Sequence, residues 1–115
     1  MTITHGLYIE KKRGYFWIRL PNVVKKENIT QIQNRIESSL TGYKGKVVID
    51  LSDTLSIFSI LVTLLMQIHK YVTESGGKLH LVNVSERCHA QLKSMNLDKI
   101  LTIRKKKAAQ KKKVK

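Results

Sequence analysis

The run Lys46-Val47-Val48-Ile49-Asp50-Leu51 limits what this chain can fold into more than any other segment. Its apolar residues are nearly continuous instead of alternating, and most are β-branched. The run is too short for a typical helix and reads as a central strand covered on both faces. Such a strand needs helical neighbours, and the flanking sequence provides them. Upstream, Ile29, Ile32, Ile36 and Leu40 recur at steps of three and four, with Gln33, Asn34, Arg35 and Glu37 off that line. Asn28 before them, with Gln31 three residues on, predicts a capping box, and Gly42 predicts the stop. Downstream, a polar loop Ser52–Ser56 leads to a helix predicted from Ser59 to about Ser75, closed by Gly76-Gly77. Ile60, Leu61, Leu64, Leu65, Ile68 and Val72 form its core face.

The remaining elements follow from the same patterns. Leu7–Arg13 and Tyr15–Leu20, separated by Gly14, predict a hairpin, and Pro21 ends its second strand because it has no N–H to donate. Lys78–Val84 alternates and predicts a strand. Ser85 caps a third helix with Cys88, Leu92 and Met95 on one face, and a last short strand is expected near Ile100–Ile103. The order β-β-α-β-α-β-α-β implies an α/β fold. Its sheet should be mixed but mostly parallel, with right-handed crossovers, an antiparallel N-terminal hairpin and helices packed against it.

With 115 residues, the chain has room for one core. The net charge of +14 is unevenly placed. Arg104, Lys105, Lys106, Lys107, Lys111, Lys112, Lys113 and Lys115 contribute eight of it, leaving +6 on residues 1–103. The expected organisation is one domain over 1–103 and a disordered lysine-rich tail over 104–115, too poor in apolar residues to fold. That tail is suited to nucleic acid or to an anionic membrane surface, or else acts only as a solubilising extension. It has no aromatic residues for base stacking.

Several chemistries lack support in the sequence. There is no Gly-rich phosphate loop, and the histidines and carboxylates show no metal-ligand spacing. Cys88 and His89 are neighbours on a predicted helix and point about 100° apart, so they do not form a dyad. Cys88 reads as a small core residue. A single cysteine cannot form an internal disulfide, the N-terminus lacks the pattern of a secretory leader, and no apolar run spans a bilayer. The expectation is a cytoplasmic protein that is not an enzyme and carries no cofactor or metal.

Three strings in this order resemble the STAS domain, the fold of bacterial anti-sigma factor antagonists. They are Val47-Val48-Ile49-Asp50-Leu51-Ser52, Gly76-Gly77-Lys78-Leu79-His80-Leu81-Val82-Asn83 and Met95-Asn96-Leu97-Asp98-Lys99-Ile100-Leu101, the last with Asn96 where the family has glycine. The likeness covers about Leu7 to Ile103. It implies a single STAS-like domain that regulates by protein binding, docking on an anti-sigma factor or related serine kinase in a partner-switching cycle. It places Ser59, in Ile57-Phe58-Ser59-Ile60-Leu61-Val62, on the family's phosphoserine. Phe58 stands for the usual aspartate, Ile60 for a hydroxyl residue, Leu61 for glycine, and Lys25 for an aspartate after the second strand.

The plainer reading of Ser59 is a helix N-cap. As a phosphoacceptor it would use the helix N-terminus to favour the added anion. The partner-contact set is Ser56, Phe58, Ser59 and Leu61, and Ser52 or Ser56 could substitute as the modified hydroxyl. Phe58 would anchor an interface if exposed, but burial is the expectation here. A different implied role is that of a non-switching STAS subunit in a larger complex.

Overall fold

The computed structural model describes residues 2–4 and 6–105. Among these residues, six strands form one sheet in sequential order: β1 (Thr2–Thr4), β2 (Leu7–Lys12), β3 (Tyr15–Arg19), β4 (Lys46–Asp50), β5 (Lys78–Val84) and β6 (Thr102–Lys105). The first three pair antiparallel; β3 to β6 pair parallel. The parallel steps are bridged by α1 (Ile29–Ser39), α2 (Ser59–Glu74) and α3 (Glu86–Ser94), with a 3-10 turn at Leu97–Lys99. The α/β class, the hairpin and the three helices agree with the sequence patterns.

Several details differ. β1 was not expected; it pairs with β2 across a turn at Gly6, whose φ is +83°. β6 runs two residues later than predicted, so Arg104 and Lys105 belong to the sheet. The remainder of the expected tail, from Lys106 on, lies outside the described residues. Asn28 sits at the N-cap of α1, but its side chain accepts from the Lys25 N–H at 2.8 Å, and no capping box forms. Met95 follows α3 and is exposed. At Asn96, φ is +60°, so the position that carries glycine in the family needs a left-handed residue, which asparagine tolerates better than most.

One continuous core lies between the sheet and all three helices. Ile32 and Ile36 of α1, Leu61, Leu64, Leu65, Ile68 and Val72 of α2, and Cys88 and Leu92 of α3 belong to it. They meet Leu7, Ile9, Ile18, Val47, Ile49, Leu79 and Leu81 from the sheet, all from one face. Val48 points the other way; it is 7% exposed yet lies outside that cluster. The central strand is thus buried on both faces as predicted, but among the described residues helices cover only one. Close packing also sets the turn after α2. A Cβ on Gly77 would stand 2.5 Å from the Gly45 carbonyl oxygen, so that position excludes any side chain.

Candidate functional site

The chain leaves β4 at the C-terminal end of the parallel strands, where open α/β sheets usually place their binding surfaces. The loop Leu51–Phe58 is pinned from within. The Asp50 carboxylate, 4% exposed, accepts from the Ser52 N–H at 2.8 Å and from the Trp17 indole Nε1–H at 3.2 Å. The Thr54 N–H donates to the Leu51 carbonyl at 3.0 Å, and the Thr54 carbonyl accepts from Cys88 Sγ at 3.6 Å. The Ile57 N–H donates to Gln91 Oε1 of α3 at 2.8 Å.

Turning Thr54 and Ile57 inward turns their neighbours outward. Leu55 is 69% and Phe58 68% exposed. The expected burial of Phe58 is therefore corrected: the Gln91 bond holds Ile57 in the core and leaves Phe58 outside. Val23, in the loop after β3, is 48% exposed, and Pro21, Val23, Val24, Ser56, Phe58 and Ile60 border a shallow apolar cleft. Leu61 is 5% exposed, so it forms the floor of this cleft and presents no surface of its own.

Ser59 is the first residue of α2, not its cap. Phe58 occupies the N-cap position, and no side chain closes the turn. Its carbonyl accepts from the N–H groups of Leu61 and Val62 at 2.9 and 3.0 Å. Ser59 itself is exposed and Ser56 half-buried, and both lie beside the apolar tip. An anion on the Ser59 hydroxyl would sit in the first helical turn, where the backbone dipole favours it. By contrast, Ser85 is a true cap: its hydroxyl accepts from the Cys88 N–H at 3.1 Å.

The sequence reading missed Leu55, Val23 and the role of Asp50. The first two carry no local signal, since an isolated apolar loop residue reads equally as tucked or exposed. Asp50 was visible as a carboxylate inside an apolar strand, a position that demands hydrogen-bond partners. Among the described residues, no three His, Cys, Asp or Glu side chains are grouped to hold a metal, and no helix is long and apolar enough to cross a membrane.

A domain of this topology, with an exposed serine opening the helix after its central strand, is of the STAS class. The chain belongs to the STAS domain family, whose model matches residues 8–109. No curated protein sequence is significantly similar to it. A Thermotoga maritima protein named as a candidate anti-sigma factor antagonist is 26% identical, with 96% of this chain and 95% of that one covered and a TM-score of 0.76. An anti-sigma-factor antagonist (STAS) domain protein from Planctomyces limnophilus is 22% identical, with coverage of 88% and 91% and a TM-score of 0.75. A serine-to-glutamate variant of RsbS from Moorella thermoacetica is 20% identical, with coverage of 84% of each chain and a TM-score of 0.72.

Proposed function

We propose that this protein is a regulatory binding module that docks on an anti-sigma factor or related serine kinase through the tip around Ser59. The observation that carries the reading is the pairing of an exposed Phe58 with an exposed Ser59 at the open first turn of α2. Exposed aromatics are common anchors of protein interfaces. A phosphate on Ser59 would bring nearly two negative charges to an apolar docking surface and oppose that docking. Val23, Leu55 and Phe58 would supply contact area, with Ser56 at the edge.

The test uses immobilised wild-type protein and the variants Ser59→Ala, Ser59→Asp and Phe58→Ser as baits. Bound proteins are identified by mass spectrometry, and wild type is scored for phosphate after incubation with the recovered kinase and ATP. A serine kinase that is held by wild type and Ser59→Ala but lost from the other two baits supports a phospho-switch. Equal recovery on all four baits overturns both the docking tip and the switch.

The alternative of a constitutive STAS subunit is favoured by one specific observation: Phe58 and Ile60 flank Ser59 with apolar groups where the family motif has an aspartate and a hydroxyl residue. That reading predicts loss of the partner with Phe58→Ser but not with Ser59→Asp.

A further inference from the structure

The face of the sheet turned away from the helices is uncovered among the described residues and has a composition of its own. Strand register carries a row across it: Glu10 opposite Trp17, Trp17 beside Val48, Val48 beside His80, His80 beside Thr102. Alternation puts Tyr8, Tyr15 and Trp17 on this face, all partly exposed. Tyr8 and Trp17 meet edge to face at 5.2 Å.

The same face holds the cations Lys12, Arg19, Lys46, Lys78 and Arg104. They interleave with the rings: Lys12 lies 5.0 Å and Arg19 5.3 Å from the Trp17 centroid, and Lys46 lies 5.7 Å from that of Tyr15. Two carboxylates lie on the strands of this face, and a third, Asp53 of the loop after β4, pairs with Arg19 at 3.4 Å, which leaves Lys46, Lys78 and Arg104 as the face's cations without a carboxylate partner among the described residues. Glu10 accepts from the Tyr8 hydroxyl at 2.7 Å and pairs with Lys12 at 3.5 Å, and Asp50 is buried under Trp17. His80 Nδ1 is buried without a partner in the middle of the row.

We infer that this open face is a binding platform for single-stranded nucleic acid. An open sheet face with partly exposed rings offers stacking to unpaired bases, and the cations between the rings meet the phosphates. Five strands span about 19 Å at the usual spacing, enough for a few nucleotides. A second copy of the chain is a poor occupant, because it would set like charges against each other. A duplex is also a poor one, because among the described residues no helix or ribbon projects from this face to enter a groove. The chain beyond Arg104, at the edge of the same face, continues into Lys106, Lys107, Lys111, Lys112, Lys113 and Lys115, which add charge but no rings. This platform is separate from the tip around Ser59.

Trp17 is the only tryptophan in the chain, so its fluorescence reports on the face directly. Full-length protein is titrated with a short oligothymidylate and, separately, with polyglutamate. The variants are Lys46→Glu with Lys78→Glu, and a full-length chain with the six tail lysines changed to glutamine. Expected are saturable quenching by the oligonucleotide that weakens steeply with salt, and a loss of about tenfold or more in affinity in the double charge reversal. The tail variant should keep the full quench at lower affinity. Three results would overturn the platform. One is no quenching of wild type by the oligonucleotide. Another is an equal or tighter Trp17 response to polyglutamate, which would indicate an acidic protein surface as the occupant. The third is binding that survives charge reversal but vanishes in the tail variant.

Discussion

Replacing Asp50 by alanine removes the acceptor for two donors at once. The Ser52 N–H loses its 2.8 Å bond and the Trp17 indole its 3.2 Å bond. Hydrogen bonds to charged groups contribute about 1.5–3 kcal/mol each, and Trp17 is partly exposed, so its share lies at the low end. Removing a largely buried carboxylate also relieves its desolvation, which offsets part of the loss. The net expectation is a loss of about 2–3 kcal/mol, or roughly 10 °C in Tm at this chain length. Asparagine keeps one acceptor for the Ser52 N–H and nearly the same volume, so Asp50→Asn should lose only about 1–2 kcal/mol. Urea unfolding followed in parallel by circular dichroism and Trp17 fluorescence measures both. If alanine stays within about 0.5 kcal/mol of wild type, or asparagine costs as much as alanine, Asp50 is not the tie between the open face and the loop.

Other substitutions separate groups that look alike in sequence. Ser85→Ala should lose about 1 kcal/mol in denaturant unfolding because a real cap bond disappears, whereas Ser59→Ala should stay within about 0.5 kcal/mol. Leu61→Ala, at a core position, should cost about 2–4 kcal/mol, and Phe58→Ala, at an exposed one, within about 0.5 kcal/mol. Equal effects within either pair would refute the assigned placement. His80 should make stability pH-dependent. Burial holds its pKa below the usual histidine value, and the charges of Lys46, Arg104 and Lys78 push the same way. As pH falls below about 6.5, the unfolded chain takes up a proton that the folded chain resists, so stability present above that pH is progressively lost. Chemical denaturation across pH 5–8 should show a shallower decline in His80→Gln than in wild type.

Periodicity made most of the fold legible because each helix has to bury one line of side chains. Ile32, Ile36, Leu64, Leu65 and Ile68 could be placed from spacing alone, and the buried strand Val47–Ile49 from its β-branched run. What escaped was set by partners distant in sequence. The direction of Phe58 depends on Gln91 holding the Ile57 N–H, a bond spanning 34 residues. Nothing near Phe58 records it. Asn28 fits a cap by composition, but its oxygen finds the Lys25 N–H instead, a competition between two local geometries that residue type does not decide.

The open sheet face was hidden for a related reason. Continuous apolar sequence in β4 shows that both faces are buried but not by what. Val48 is covered across the sheet by side chains that strand register brings beside it, Trp17 on β3 and His80 on β5. Each of those strands, read alone, mixes apolar and charged residues as any half-exposed strand would. Only the register shows that their charged and aromatic positions fall on the same side. Residues 1–103 keep a net charge of +6, and the register gathers the cations Lys12, Arg19, Lys46 and Lys78 onto one surface, where Glu10 and Asp53 pair with only the first two. An excess confined to a tail would say little about the domain. Concentrated beside rings on an open face, it calls for an anionic partner that can also stack.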